Sequence, residues 1–428
     1  MGMIKTKHRN IIDGYELEYG TLNTKRYELE SRANKHQQPV VWDKAKDFYV
    51  FDNQGNKWID MTAGIFAANA GHANPEIKKA IKKQLDNDLL FAYQYITEIR
   101  HKFVKKLIDI SPDNFEKAVL VNTGSEATDI AYKLIKLWAK KNNKKYIVVF
   151  EGSYHGRVLS SNLICGSKNA SSWSSVHDDD VVFIKFPYSP HVKFDPSILP
   201  PADQIAAFFL ETYQGWGACM YPPKYIQALY EFARDNNSLV CFDEVQSGFY
   251  RMGELYGYMT YGDNIRPDLI CLGKGISSSL PVGAVLGSTE LIDIDLGANL
   301  SSTHGGNALC CAAALANIEF LTDEKFQTEF QKRCAVFENR STELLKYIPV
   351  VAVNTKGMVT GIVFDDPTGD IATAVVKDCI VNGVLPVYTS RESIKLGPPL
   401  TITTEALNEA FDVIESCLIR NEQNIVRT

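Results

Sequence analysis

Short, continuous apolar runs separated by helical patterns dominate the middle of the chain. Five runs rich in β-branched or aromatic residues predict strands: KYIVVF near residue 145, VVFIKF near 181, IAAFFLE near 205, SLVCFDE near 238 and DLICLG near 268. Helical patterns separate several of them, as in PPKYIQALYEFARDNN from residue 222. Continuous apolar strands that alternate with helices are typical of a mostly parallel sheet covered on both faces. The pattern therefore predicts an α/β fold.

The patterns on either side of this region predict further elements. Residues 49–60 read as a hairpin, and a helix is expected to begin at Asn74–Pro75. A second helix is predicted over about 125–141, where apolar residues recur at helical spacing. A long charged helix at about 323–347, short strands, and a final helix from about 404 predict a smaller α+β domain at the end of the chain.

Composition and charge exclude several classes of protein. The chain has 428 residues, of which 45% are hydrophobic and 22% charged, as in ordinary globular proteins. Its net charge of −6 offers no basic excess for nucleic acid, and no apolar run approaches the roughly 18 residues that a membrane helix needs. We therefore expect neither partner. The nine cysteines, mostly in apolar surroundings, indicate buried reduced thiols of a cytoplasmic protein. No CxxC or HExxH pattern predicts a metal site.

Polar groups follow several of the predicted strands. In open parallel sheets ligands bind beyond the carboxyl ends of the strands, so side chains at these positions are candidates for a site. A single acid there is usually a helix cap or a solvated turn, but here charged groups from separate strands converge on one edge. They are Tyr154 and His155 after the first run, Glu211 after the third, Asp243 and Glu244 after the fourth, and Lys274 between Gly273 and Gly275 after the fifth.

A candidate phosphate site lies upstream of these strands. Asn122, Thr123, Gly124 and Ser125 come directly before the predicted second helix. Gly124 allows close approach of the backbone, and the amides of the first turn together with the Ser125 hydroxyl are able to hold an anion. A plain helix start with a Thr or Ser cap is the alternative. A Walker loop is excluded, because GxxxxGK[ST] does not occur in the sequence.

Together these groups match the requirements of pyridoxal phosphate. Its aldehyde reacts with a lysine, its ring nitrogen needs a carboxylate, its phosphate needs amide donors, and its flat ring needs an aromatic cover. The sequence therefore predicts pyridoxal phosphate as the cofactor.

Seven motifs carry a resemblance to a known family: NTGSEA at 122, SYHGR at 153, ETYQGWGA at 211, CFDEVQSGFYRMG at 241, LGKG at 272, STHGGN at 302 and LGPPLTIT at 396. From about residue 35 to the end, the chain resembles class III aminotransferases of the fold type I pyridoxal phosphate enzymes. The resemblance implies a large cofactor-binding domain over 50–320 with a mostly parallel seven-stranded sheet. It also implies a small α+β domain over 321–428, to which the N-terminal segment 1–49 contributes.

The resemblance also implies roles for individual residues. Lys274 would form the Schiff base and move the proton, and Asp243 would pair with the pyridine nitrogen. The other implied contacts surround the cofactor: Val245 on the ring face opposite Tyr154, Gln246 at the ring hydroxyl, Gly124 and Ser125 at the phosphate, His155 and Glu211 in the same pocket, and Thr303 at the phosphate of a neighbouring subunit. A homodimer with shared active sites follows from the last of these. The segment YELEYGTLNTKRYELE, within the first 30 residues, should pack on the partner or over the active site.

Two positions depart together from the family pattern. Many relatives that act on α-amino acids carry a glutamate where this chain has Trp216 and an arginine where it has Lys395. A lysine lacks the fork that suits a carboxylate, and a tryptophan offers an apolar stacking surface. The alternative is that Trp216 has only a packing role and that Lys395 faces solvent. Our hypothesis is an altered substrate pocket, with Arg157 as the main carboxylate anchor.

The function expected from these features is a ping-pong transfer of an amino group between an amine or amino acid and a 2-oxo acid. The donor stays open among an ω-amine, a β-amino acid and an amino sugar. An aminomutase, a racemase or epimerase, and a decarboxylase of the same family are the alternatives, because they use the same lysine, aspartate and phosphate site. A nucleotide-binding protein would need a GxGxxG or Walker loop after a strand, and the sequence contains neither.

Overall fold

The computed structural model describes residues 3–15, 38, 40–166 and 172–425, and it divides the chain into two compact units. The first unit takes its residues from 1–74, 216–218 and 325–428, and the second from 75–215 and 219–324. The predicted domain bounds, with a cofactor-binding domain over 50–320, stay a prediction. The segment YELEYGTLNTKRYELE lies outside the described residues apart from its first tyrosine.

Strands and helices follow one another as the apolar patterns indicate. Within the described residues the strands are β1 (Ile4–Lys5), β2 (Asn10–Ile11), β3 (Lys44–Lys46), β4 (Tyr49–Phe51), β5 (Lys57–Asp60), β6 (Lys117–Val121), β7 (Tyr146–Phe150), β8 (Val181–Ile184), β9 (Ile205–Glu211), β10 (Tyr213–Gln214), β11 (Cys219–Met220), β12 (Leu239–Asp243), β13 (Leu269–Leu272), β14 (Gly283–Gly287), β15 (Val350–Lys356), β16 (Val359–Phe364), β17 (Val384–Leu385), β18 (Val387–Arg391) and β19 (Ser393–Leu396). The α-helical segments are α1 (Ala63–Phe66), α2 (Pro75–Asp86), α3 (Glu98–Asp109), α4 (Gly124–Lys141), α5 (Leu159–Leu163), α6 (Pro223–Asp235), α7 (Thr289–Ile292), α8 (Ala308–Leu321), α9 (Glu324–Glu343), α10 (Asp370–Val381) and α11 (Thr404–Ile425).

The second unit is built on a seven-stranded sheet with the order β6-β14-β13-β12-β9-β7-β8. Strands β13, β12, β9, β7 and β8 are parallel, whereas β14 is antiparallel to both of its neighbours. The predicted α/β fold with a mostly parallel seven-stranded sheet is thereby confirmed. Glu211 and Asp243, the last residues of β9 and β12, are register partners, so they lie side by side at the same edge of the sheet.

Helix α4 covers one face of this sheet. Its apolar residues recur at helical spacing, and Ala127, Ile130, Ala131, Leu134, Ile135 and Trp138 are all buried. They form one core with side chains of the central strands, including Ile147, Phe209 and Cys241. The helix therefore presents a single apolar face to the sheet, and its first turn is held at the sheet edge where β9 and β12 end.

The first unit contains two sheets. One has the order β1-β2-β5-β4-β3 with β17 added parallel to β5, and β4 and β5 form the hairpin predicted over 49–60. The other has the antiparallel order β15-β16-β19-β18. Segment α1 departs from the sequence pattern, because its four residues have φ between 47° and 63° and form a left-handed turn. Among the described residues no helix is long and apolar enough to cross a lipid bilayer.

Replacing Leu134 with alanine should lower the free energy of unfolding by roughly 2–5 kcal/mol, because the deletion leaves a cavity in a fully buried core. Lys140→Ala, at an exposed position of the same helix, is the matched control and should change stability by less than about 0.5 kcal/mol. Urea unfolding of both variants measures the difference. Equal losses in the two variants would show that α4 does not pack as described.

Candidate active site

The first turn of α4 is shaped to hold an anion. Thr123 caps the helix by accepting a hydrogen bond from Glu126 N at 3.2 Å, and the Glu126 carboxylate accepts one from Thr123 N at 2.9 Å. This capping box satisfies the amides of residues 123 and 126. The amides of Gly124 and Ser125 have no acceptor within the helix and point out of its positive end, where a phosphate is favoured.

A cavity of about 190 Å³ adjoins this helix end and contains most of the predicted site. The cavity-lining residues are Thr123, Gly124, Ser125, Tyr154, His155, Gly156, Glu211, Tyr213, Asp243, Val245, Gln246, Ser247 and Lys274. They come from the start of α4 and from the segments that follow β7, β9, β12 and β13. The sequence therefore brings these groups together as expected for side chains at the carboxyl ends of neighbouring strands.

Asp243 is fixed by two hydrogen bonds. Its Oδ1 accepts from Val245 N at 3.0 Å, and its Oδ2 lies 2.8 Å from Nδ1 of His155. The other ring nitrogen of His155 is buried without a hydrogen-bond partner among the described residues, and its ring packs edge-on against Phe209. We assign the proton to Nδ1, since a carboxylate is an acceptor. His155 thus orients Asp243 and lines the cavity beside it.

Glu211 is the second buried acid of the cavity. Its Oε2 accepts a hydrogen bond from Tyr154 N at 2.9 Å, and its Oε1 accepts one from Gly215 N at 3.1 Å. Burial raises the pKa of Glu211 to about 7, and the neighbouring charge of Asp243 acts in the same direction. His155 and the two amides oppose this rise. Glu211 therefore changes its charge near neutral pH, unlike an ordinary surface glutamate.

Lys274 follows β13 in a strained conformation. Its φ of 42° lies in the left-handed region, which typically costs a residue other than glycine about 1–3 kcal/mol. Burial lowers the pKa of its amine, and the carboxylates of Asp243 and Glu211 partly oppose this. The Lys274 amine therefore loses its proton more readily than an exposed lysine would, and the neutral amine is the form that reacts as a nucleophile or base.

Tyr154 and Val245 both line the cavity, and two glycines keep it open beside Val245. A Cβ on Gly124 would lie 2.5 Å from Cγ1 of Val245, and one on Gly273 would lie 3.1 Å from the same atom. Any side chain at Gly124 would therefore displace Val245. Tyr154 is half exposed, and burial of its hydroxyl raises its pKa.

The structure adds three residues to which the sequence analysis gave no role: Gly156, Tyr213 and Ser247 also line the cavity. Thr123, named in the candidate phosphate site, lines it too, and T-x-x-E before an apolar periodic run is a capping-box signature. Gly156 has φ of 138° and leaves room for Ser125, whose Oγ would be 2.5 Å from a Cβ at that position. Nothing local to Tyr213 or Ser247 marks them as cavity residues.

Glu244, next to Asp243, holds the segment that continues from β12. Its carboxylate is fully buried and accepts four hydrogen bonds: from Thr212 Oγ1 at 2.6 Å, Ser247 Oγ at 2.7 Å, Gly257 N at 2.8 Å and Tyr258 N at 2.7 Å. Because the donors come from three segments, this carboxylate fixes the backbone on which Asp243, Val245 and Gln246 are carried.

Four residues with predicted contacts to the cofactor or the substrate do not line the cavity. Arg157 and Thr303 are exposed in the second unit, and Arg157 N donates to Ser125 Oγ at 3.3 Å. Trp216 and Lys395 belong to the first unit. There the Lys395 ammonium lies 4.8 Å from the ring centroid of Phe66, and Lys395 is only 5% exposed, so it does not face open solvent.

Comparison with known proteins identifies the family. The family model described as aminotransferase class III matches residues 31–418. The chain belongs to the class III aminotransferases. It is 32% identical over 415 residues to the ornithine aminotransferase of Saccharomyces cerevisiae, covering 91% of this chain and 95% of that protein. It is 31% identical over 379 residues to the acetylornithine aminotransferase of Methanothermobacter thermautotrophicus, covering 88% of this chain and 93% of that protein.

Two further comparisons bear on the cofactor and on the reaction. The ornithine aminotransferase of Toxoplasma gondii, whose active site holds pyridoxal phosphate at partial occupancy, superimposes with a TM-score of 0.85 at 25% identity over 95% of this chain and 96% of that one. The isoleucine 2-epimerase of Lentilactobacillus buchneri is 29% identical over 431 residues, covering 94% of each chain. Family membership makes this protein a transaminase that uses pyridoxal phosphate.

The residues of this class III aminotransferase fit that cofactor. The helix end at Gly124 and Ser125 would supply amide donors for a phosphate, and Asp243 would supply an oriented carboxylate for a ring nitrogen. Lys274 would supply an amine whose pKa is lowered by burial, and Tyr154 would supply an aromatic face.

The raised pKa of Glu211 predicts a pH-dependent stability in the cofactor-free protein. The folded state holds this proton up to about pH 7, whereas the unfolded chain loses it near pH 4.5. The stabilising contribution is therefore fully present below about pH 4.5 and is lost as the pH rises through about 7. A shift of this size corresponds to on the order of 3 kcal/mol.

Urea unfolding of the wild type and of Glu211→Gln between pH 5 and pH 8 measures this contribution. We expect the stability of the wild type relative to the variant to fall across this range. Glu151→Gln, at an exposed glutamate directly after β7, is the control and should leave the pH dependence unchanged. A constant difference between wild type and Glu211→Gln would contradict the assignment.

Proposed function

We propose that this class III aminotransferase moves an amino group from a donor amine to a 2-oxo acid in a ping-pong reaction, in which the enzyme holds the amino group between the two half-reactions. The observation that carries the proposal is the single cavity that unites Lys274, Asp243, Tyr154 and the amide end of α4. When bound, pyridoxal phosphate supplies an electron-withdrawing ring that stabilises negative charge on the carbon bearing the amine.

Each cavity residue has a proposed task. Lys274 attaches the cofactor and then moves a proton through Nζ, which its lowered pKa supports. Asp243, held as an acceptor by His155 and Val245 N, keeps a proton on the ring nitrogen. The other proposed contacts are Gly124 and Ser125 at the phosphate, Val245 and Tyr154 at the ring faces, Gln246 at the ring hydroxyl, and Thr303 at the phosphate of a partner subunit.

We propose that the substrate is bound by Arg157, Trp216 and Lys395. Arg157 is exposed next to Tyr154 and is free of any ion pair among the described residues, which suits capture of a distal carboxylate. Trp216 and Lys395 replace the glutamate and arginine of many relatives, which supports a donor other than an ordinary α-amino acid. An ω-amine, a β-amino acid and an amino sugar remain the candidates.

A homodimer in the cytoplasm is part of the proposal. The segment before α3 exposes large apolar side chains, with Tyr95 at 79% and Ile96 at 94% exposure, and Leu296 at 88% adds another. Such surfaces are typical of contacts with another chain. All nine cysteines are free thiols, and eight of them are buried, which supports a reducing compartment.

The first test is the absorbance spectrum of the purified protein after treatment with pyridoxal phosphate and gel filtration. We expect a visible band in the wild type, and none in Lys274→Ala, because the covalent attachment is lost. Lys224→Ala, at an exposed lysine of α6, is the control and should keep the band. A wild type without the band would refute the proposed function.

The same spectrum separates a transaminase from an epimerase, which the similarity to the isoleucine 2-epimerase makes the second candidate. A band that bleaches with one amine of a panel and returns with an oxo acid establishes transamination and names the donor. A band that shifts with isoleucine without bleaching, together with inversion of the amino acid, would favour epimerisation.

Replacing Arg157 with alanine should lower kcat/KM for dicarboxylic oxo acids such as 2-oxoglutarate by about ten- to a hundred-fold. Loss of a charged hydrogen bond costs roughly 1.5–3 kcal/mol. Pyruvate, which has no distal carboxylate, serves as the matched acceptor and should be affected much less. An unchanged KM for every oxo acid would exclude Arg157 as the carboxylate anchor.

A further inference from the structure

The loop at residues 216–218 is held firmly within the first unit. The carbonyl oxygen of Trp216 accepts a hydrogen bond from Ser393 Oγ at 2.8 Å, and that of Gly217 accepts one from Asn354 Nδ2 at 2.8 Å. Gly361 packs so closely that a Cβ there would lie 1.9 Å from the Gly217 oxygen. The backbone that carries the Trp216 side chain is therefore fixed by strands β15, β16 and β19.

The indole of Trp216 is in turn covered by Arg391. The guanidinium carbon lies 4.1 Å from the ring centroid, whereas eight other cation–π contacts among the described residues span 4.8–5.8 Å. Nη2 of Arg391 also binds the Glu392 carboxylate at 2.9 Å. The guanidinium of Arg391 is thus shared between the Trp216 ring and the Glu392 carboxylate.

A β-bulge directs Arg391 onto the ring. Strands β18 and β19 pair Tyr388 with Ile394, and their register then shifts so that Arg391 pairs with Ser393. Ser390, between them, has φ of 58°. Gly369 packs against the backbone of Arg391, since a Cβ at Gly369 would lie 2.9 Å from the Arg391 carbonyl oxygen. Bulges re-aim side chains next to functional sites, and this one aims a guanidinium at Trp216.

We propose that Arg391 is a positioning residue for substrate recognition, which holds the indole of Trp216 as a fixed aromatic wall. The proposal rests on the proposed substrate role of Trp216 and deepens it. A wall of this kind recognises an uncharged part of the donor by stacking, and the Lys395 ammonium, 4.8 Å from the ring centroid of Phe66, lacks the fork that suits a carboxylate. The donor class is therefore a primary amine with no carboxylate on the carbon that bears the amine.

The donor half-reaction tests this in single turnover, followed by the loss of the visible cofactor band. The probes are 1-phenylethylamine, which has an aromatic group and no carboxylate, and L-alanine, which has an α-carboxylate. We expect Arg391→Ala to raise the half-saturating concentration of 1-phenylethylamine about tenfold, because a mobile indole gives up the pre-ordered contact, with the limiting rate changed less than about twofold. Arg391→Lys, which keeps a cation for the ring, should restore most of the affinity.

Arg420→Ala is the matched control. Arg420 lies in the same unit, its side chain is 46% exposed against 45% for Arg391, and it forms one ion pair with Asp378. It should leave the half-saturating concentration unchanged. A second readout is the emission of Trp216, obtained as the difference between the wild type and Trp216→Phe. Arg391→Ala should make this emission more accessible to quenching by acrylamide, and Arg420→Ala should not.

The outcomes are decisive for each part. Unchanged quenching and unchanged half-saturation in Arg391→Ala would overturn the positioning role. Altered quenching with unchanged half-saturation would leave Arg391 a merely structural residue and also overturn it. A wild type that reacts with L-alanine as well as with 1-phenylethylamine, or with neither probe, would overturn the donor class. Failure of the proposed function itself is distinguishable, because the visible band would then be absent from the start.

Discussion

Two carboxylates buried side by side set the constraint on which the rest of the active site depends. Glu211 and Asp243 end adjacent parallel strands in register, so neither acid can move away from the other without breaking the sheet. Both side chains are buried, and two like charges in a buried site repel each other. Asp243 accepts hydrogen bonds from the His155 ring and from one amide, and Glu211 accepts from two amides, so each carboxylate is held in place by its own donors. Burial raises the pKa of Glu211 to about 7, and the neighbouring Asp243 acts in the same direction.

The remaining groups of the cavity are arranged around these two acids. An amine near two acids would ordinarily stay charged, but burial lowers the pKa of Lys274 despite them. The Glu244 carboxylate accepts four hydrogen bonds, which hold the backbone of the segment after β12 in place. The capped end of α4 adds a positive potential without a side-chain cation. These contacts fix the cavity groups relative to one another, and groups held in this way need little reorganisation during a reaction.

Much of this arrangement could be predicted from the sequence, because its signals are local. Continuous apolar runs predict buried parallel strands, and the polar residues that end them predict the site edge, as at Glu211 and Asp243. The hairpin at 49–60 and helix α4 were readable from turn residues and periodicity. The direction of strand β14 could not be predicted, because its short run GAVLG gives no indication that the strand is antiparallel to its neighbours.

Features that depend on contacts between distant parts of the chain could not be predicted from the sequence. The bond between His155 and Asp243 joins residues 88 positions apart, and nothing in the spacing of either residue reports it. The left-handed turn α1 contains three residues other than glycine, so local preferences argue against it and only tertiary packing sustains it. The contact of Arg391 with Trp216 depends on a bulge that has no sequence signature of its own.

The left-handed backbone of Lys274 has a consequence for the evolution of the chain. Glycine would adopt this conformation without strain, and nothing but the need for an amine favours a lysine at this position. The fold and the chemistry therefore make opposite demands at one position. A chain released from the need for this amine would gain stability from glycine at residue 274, so selection for reactivity and selection for stability oppose each other there.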